Sequence, residues 1–180
     1  MAFVTDASVA AAWVLPDEEA VLADLALERL VEEEAWVPSL FWSELQNVLL
    51  SAERRGRIDE HYADAAIARI RQLSVRCPGE PEDHHILALA RSHRLTAYDA
   101  TYLALAIREG CPLASLDRRL NNAAAVEGLR PSADLERAGP RPRRWPIRLV
   151  QHLACHLRRA VPVGHGPARH RKHNAHYIRP

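Results

Sequence analysis

The amino-acid sequence predicts an α/β fold built on a short parallel sheet. Three observations carry that expectation. Up to about Arg130, short apolar runs alternate with segments whose apolar residues recur at the helical period. Strands separated by helices imply right-handed crossovers and parallel pairing. After Arg130 the composition changes abruptly, so residues 131–180 stand apart from residues 1–130.

The elements follow in order. Residues 2–5 read as a buried strand. Residues 8–15 read as a brief helix, capped by Ser8 and stopped by Pro16. Residues 17–33 show a helical period in Val21, Leu22, Leu25, Leu27 and Leu30. Residues 35–37 form a second short strand. Ser39 reads as the N-cap of a helix reaching Arg55, with Gly56 as its stop. Asp59 caps the next helix, which runs to about Leu73 with Ala63, Ala66, Ile67 and Ile70 on one face. Residues 74–77 suggest a third strand, and Pro78-Gly-Glu-Pro81 a turn. A helix through Ile86, Leu87, Leu89 and Ala90 follows. Residues 99–109 make another helix, ended by Gly110. Residues 113–116 form a strand, and residues 117–126 a last helix.

A chain of 180 residues suggests one domain with an appendage. The net charge of +1 hides an asymmetry. Residues 1–130 carry 13 Lys/Arg against 21 Asp/Glu, whereas residues 131–180 carry 11 against 2. The later segment also holds 7 of the 12 prolines and 6 of the 10 histidines. That composition predicts a basic, mostly irregular and disordered tail. Within it, residues 149–157 match one short amphipathic helix, and His152 and His156 stand four apart with no third ligand evident. The longest apolar run near the N-terminus, residues 9–15, is far short of a membrane span. No signal peptide is expected, because Asp6 interrupts the opening apolar stretch. Cys77, Cys111 and Cys155 match no zinc or redox spacing, which suits a reducing cytoplasm.

Four acids carry the chemistry: Asp6, Glu44, Asp99 and Asp117. Each sits where an apolar segment ends or a helix begins. In an α/β fold those places line the crevice at the carboxyl edge of the sheet, where ligands bind. Any one of these acids alone reads as a helix cap or a surface charge. The set reads differently, because four separate segments each deliver one carboxylate. Two unit charges about 5 Å apart repel by roughly 3 kcal/mol at an effective dielectric of about 20. Such a pocket calls for a hard divalent cation or for protonation. Carboxylate oxygens suit Mg²⁺ and Mn²⁺, and no His or Cys lies in the four contexts to favour Zn²⁺.

The same blocks resemble the PIN-domain ribonucleases of the VapC toxin type. The resemblance is carried by Val4-Thr-Asp6-Ala-Ser-Val-Ala-Ala-Ala-Trp13 and Val37-Pro-Ser-Leu-Phe-Trp-Ser-Glu44-Leu-Gln-Asn47-Val-Leu-Leu. It continues in Leu95-Thr-Ala-Tyr98-Asp99-Ala-Thr-Tyr102-Leu-Ala-Leu-Ala and closes with Pro112-Leu-Ala-Ser115-Leu-Asp117-Arg-Arg-Leu. These blocks cover about residues 3–130. The resemblance implies a three-layer α/β/α PIN-like domain over residues 1–130. It implies a Mg²⁺-dependent endoribonuclease, with Mn²⁺ as the alternative ion, that acts as the toxin of a toxin–antitoxin pair. The acids would be Asp6, Glu44, Asp99 and Asp117, with Ser115 and Asn47 as polar neighbours. The partners would be RNA, a cognate antitoxin and a second copy of the chain. The segment after Arg130 departs from the family and lies beyond the usual domain end.

Within that expectation Asp6 and Asp99 are the best direct ligands, because each directly follows or caps a core element. Asp117 would bind a second ion or act through water. Glu44, inside a helix, would orient the attacking water as well as bind metal. Trp13, Phe41 and Trp42 read as core. His84 and His85 read as a solvated helix face. Arg54, Arg55 and Arg57 read as helix-end cations or RNA phosphate contacts, and Arg118 and Arg119 as surface charges or steering groups. Two other readings stand beside the nuclease. Another Asp-based phosphohydrolase is disfavoured, since Asp6 is not followed by a second motif Asp. A non-catalytic RNA- or antitoxin-binding module is disfavoured by the intact acids.

Overall fold

The computed structural model describes residues 2–129 and Leu157. Four strands pair in parallel: β1 (Ala2–Thr5), β2 (Glu34–Trp36), β3 (Val75–Arg76) and β4 (Leu113–Ala114). Their order is β3-β2-β1-β4, so the first strand of the chain is central. Phe3 stands beside Ala35, Val4 beside Trp36 and Leu113, and Thr5 beside Ala114. Phe3, Val4 and Thr5 are all fully buried. Successive strand residues point to opposite faces, so helices cover both faces of the sheet. That is the three-layer arrangement the sequence resemblance implies.

The helices are α1 (Ala7–Val14), α2 (Val21–Arg29), α3 (Leu40–Arg54), α4 (Glu60–Ile70), α5 (Asp83–His93), α6 (Ala97–Glu109) and α7 (Arg118–Val126). Trp13 is fully buried, and its Nε1 donates to the Ala23 carbonyl at 2.8 Å, pinning α1 to α2. Phe41 is fully buried, whereas Trp42 is half-buried, edge-on to Phe41 and beneath the Arg71 guanidinium. Asp59 caps α4 through Tyr62 N–H, as expected. Gly56 and Gly110 take the left-handed conformation that ends α3 and α6. Among the described residues no helix is long and apolar enough to cross a membrane.

Several expectations need correction. Ser8 does not cap α1; Asp6 does, two residues earlier than the apolar pattern suggests. Ser39 holds the N-cap position of α3 as expected, but makes no side-chain cap bond. Its own backbone is already helical, so its hydroxyl cannot fold back, and Glu80 Oε1 accepts the Ser39 N–H at 2.7 Å instead. The helix expected over residues 17–33 is only α2. Arg57 grips the Asp17 and Glu18 carboxylates at 2.6–2.9 Å, and this pair is held outside the helix. The helix after Asp59 stops at Ile70 rather than Leu73. The last strand ends at Ala114 rather than Leu116, because residues 115–117 turn toward the first strand.

The expectations for residues 130–156 and 158–180, including the His152/His156 pair, fall outside the described residues. Leu157 is the exception. It is helical, 3% exposed and packed into the main core, and its carbonyl accepts Arg69 Nη1 at 2.7 Å. A helical, buried Leu157 is in keeping with the short amphipathic helix expected over residues 149–157. A leucine with a core surface within reach is driven there by the hydrophobic effect.

Candidate functional site

Asp6 follows β1 directly and opens α1. Its Oδ1 accepts Ser8 N–H at 3.0 Å, Val9 N–H at 3.2 Å and the Ser8 hydroxyl at 2.6 Å. Its Oδ2 accepts the Ser115 hydroxyl. The same backbone geometry that starts the helix therefore fixes the carboxylate. Asp6 is only 7% exposed. Burial pushes its pKa above the ordinary Asp value, and the bonds from Ser115, Ser8 and Val9 oppose that rise.

Two hydroxyls tie the far end of the sheet to Asp6. The Ser115 hydroxyl donates to Asp6 and accepts Asp117 N–H at 2.9 Å. The Ser8 hydroxyl donates to Asp6 and accepts Leu116 N–H at 3.0 Å. The β4–α7 turn is thus hung on the first aspartate. Asp117 caps α7, its Oδ1 accepting Arg119 N–H at 2.6 Å and Leu120 N–H at 3.2 Å.

Glu44 lies in α3 and is half-buried. Its Oε2 accepts the Tyr102 hydroxyl at 2.5 Å. Burial raises its pKa, the Tyr102 bond lowers it, and the charges of Asp6 and Asp99 raise it again. Burial and the Glu44 carboxylate in turn push the Tyr102 phenol far up, so it stays a donor. Asp99 stands in the first turn of α6. Its Oδ2 accepts the Thr96 hydroxyl at 2.8 Å, while Asp99 N–H donates to Thr96 Oγ1 at 3.1 Å. This reciprocal bonding is a cap that also holds the carboxylate.

Asp6, Glu44 and Asp99 therefore lie within one electrostatic neighbourhood, and Asp117 is joined to it through Ser115. Among the described residues none of the four makes an ion pair with Lys or Arg. As they stand, no three His, Cys, Asp or Glu side chains among the described residues close around a single ion. The groups that face one another are all oxygen donors, a set that fits a hard divalent cation.

Ser8 and Tyr102 are the site residues sequence reasoning missed as such. Ser8 looked like a cap because it precedes an apolar run. Tyr102 carried a signal: it lies three residues after Asp99, on the same helix side. Asn47 lies one turn beyond Glu44 but opens onto a separate cleft of about 310 Å³, lined also by Glu18, Ser51, Arg55 and Arg57. No acid of the set lines that cleft. Arg57 is held by Asp17 and Glu18, whereas Arg118 and Arg119 are exposed beside Asp117. His84 and His85 stack on an exposed helix face, as expected.

Comparison with known proteins agrees with this geometry. The sequence matches the PIN domain family over residues 3–126. It is 34% identical over 124 residues to "Ribonuclease VapC3" of Pyrobaculum aerophilum, which covers 67% of this chain and 92% of that one. It is also similar to the crystal structure of PAE2754 from Pyrobaculum aerophilum. There the TM-score is 0.53 at 25% identity, over 68% of this chain and 79% of that one. The match spans all four acids and the whole sheet, and on that ground the chain belongs to the PIN-domain family, in its VapC branch.

Proposed function

We propose that this chain is an endoribonuclease that hydrolyses RNA phosphodiester bonds with Mg²⁺, Mn²⁺ serving in its place. The observation that carries the reading is that Asp6, Glu44 and Asp99 lie close enough to feel one another's charge, with no Lys or Arg among the described residues paired to them. The VapC ribonuclease it resembles supports the same class of chemistry.

Each acid has a distinct part in this reading. Oδ1 of Asp6 already accepts three donors, whereas Oδ2 accepts only the Ser115 hydroxyl, so Oδ2 would have a lone pair to offer the ion. Asp99 supplies the second direct ligand from the start of α6. Glu44, aimed by Tyr102 and with a raised pKa, orients the attacking water and accepts its proton. Asp117 acts through water or at a second ion. When bound, the cation polarises a phosphoryl oxygen and stabilises the leaving oxygen.

The same charge pattern suggests how the enzyme is restrained. An antitoxin would place an Arg or Lys among the carboxylates and do electrostatically what the cation does. We include in the proposal a homodimer and a place in the cytoplasm, as for a toxin of a toxin–antitoxin pair. The direct test is cleavage of single-stranded RNA by the purified chain in Mg²⁺, in Mn²⁺ and in EDTA. Cleavage is expected in both ions and absent in EDTA. Full activity in EDTA sinks the metal mechanism. Co-expression with the neighbouring reading frame is expected to relieve toxicity; a harmless chain with no binding neighbour removes the toxin role and leaves the nuclease.

A further inference from the structure

Among the described residues Tyr98 is the only Phe, Tyr or Trp that is exposed, at 63%. A scattered exposed apolar residue needs no explanation. The position of this one does. Tyr98 and Tyr102 stand four apart on α6, so their side chains share a face. Tyr102 spends its hydroxyl on Glu44. At roughly 100° per residue, Tyr98 and Asp99 flank Tyr102 on either side, by about 40° and about 60°. Helical side chains lean toward the N-terminus, so Tyr98 stands one turn beyond Tyr102, toward the open start of the helix beside Asp99. Tyr102 and Tyr98 thus continue one line from the half-buried acid Glu44 out to solvent.

We propose that Tyr98 is a stacking platform for a nucleobase of the RNA strand, next to the phosphodiester held at the acids. The inference rests on the ribonuclease reading above and adds what that reading lacks. Carboxylates and a cation engage phosphate and are indifferent to bases. A single strand held only there is free to swing about its phosphate. An aromatic face at the rim takes the neighbouring base by stacking, which tolerates every base because each has a π-face. Exposure suits this use, since a base must reach the ring. Tyr98 is therefore a substrate-positioning residue.

The test uses the full chain carrying Glu44→Gln, so that bound RNA is not cut, with Mg²⁺ present. Its probes are an end-labelled oligouridine and the same strand made abasic, compared by fluorescence polarisation. With Tyr98 intact, the base-bearing strand should bind roughly ten- to a hundredfold tighter than the abasic strand. Tyr98→Ala should erase that preference, and Tyr98→Phe and Tyr98→Trp should keep it. Melting of Tyr98→Ala should match that of the parent, because the ring contributes little to the core. In the chain with Glu44, Tyr98→Ala should raise KM more than it lowers kcat. A preference that survives Tyr98→Ala overturns the stacking role while leaving metal-dependent cleavage intact. Loss of binding to a protein partner, with RNA preference unchanged, overturns it in favour of a protein contact. If the parent cleaves no RNA in any ion, the ribonuclease reading itself fails and the inference falls with it.

Discussion

Asp6 and Asp99 are both aspartates at helix starts, yet they are held in opposite ways. Asp6 is almost wholly buried and accepts four hydrogen bonds, from Ser8, Val9 and Ser115. Asp99 is only partly buried and has one local partner, Thr96. The first is fixed by its own helix turn and by the end of the neighbouring strand β4, the second by its own helix turn alone. The difference teaches a division of labour. In the proposed mechanism the buried, over-determined carboxylate would set where an ion sits, and the looser one would complete its coordination from the solvent side.

The comparison is broken most severely at Asp6. Asp6→Asn should reduce cleavage more than about a hundredfold, beyond what loss of an outer partner typically costs. Circular dichroism should show the fold retained. Asp99→Asn should be as damaging to cleavage but milder for stability, because its partner is local. Equal activity in either variant and the parent would remove both from the metal site.

Ser115→Ala comes next. It strips Asp6 Oδ2 of its donor and Asp117 N–H of its acceptor. We expect metal affinity or activity to fall about 10–100-fold, with about 1–3 kcal/mol lost in stability. Calorimetric titration with Mn²⁺ and a denaturant melt read the two effects separately. Tyr102→Phe should do less, since it frees Glu44 without unbuilding the sheet end. A loss near tenfold in kcat and about 1 kcal/mol in stability is expected. If Tyr102→Phe proves worse than Ser115→Ala, the Asp6 side is not the organising half.

The smallest effect is with pH. Asp6 and Glu44 both have raised values in the folded chain, chiefly from burial. Between the ordinary carboxylate range and the raised values the folded state therefore binds more protons than the unfolded state. Stability from these groups is fully present below the unfolded value and is lost as pH rises through the folded one. Thermal melts in EDTA should accordingly show a gain as pH falls from 7 toward about 4. Mg²⁺ should flatten that slope. A metal-free protein that melts lower on mild acidification would contradict the burial argument.

The places of Asp6, Asp99 and Asp117 at helix starts, and of Glu44 one turn into α3, were legible from the apolar period. Their connections were not. Ser115 reaches Asp6 across a separation of 109 residues, which only the β1–β4 pairing creates. Local patterns are silent on such contacts. The cap at Asp6 was misassigned to Ser8 for a related reason: both residues can cap, and the strand end decides which does. The length of α2 was hidden because Arg57, 40 residues away from Asp17, holds the preceding acids. The apolar pattern over residues 149–157 hinted at the buried Leu157, but nothing local to it names Arg69, 88 residues away, as its partner.

The central place of the first strand has a consequence in time. A ribosome adds about 5–20 residues per second, N-terminus first. Strand β1 emerges long before its neighbour β4, which waits for residues 113–114. Until then Asp6 has neither the Ser115 hydroxyl nor the covering turn, and this long-range pairing is slow to form. A nascent or truncated chain ending before Ser115 therefore carries the first acid without the frame that aims it. The proposed chemistry is expected to appear only after residues 113–117 have been made, when β4 slots in beside β1.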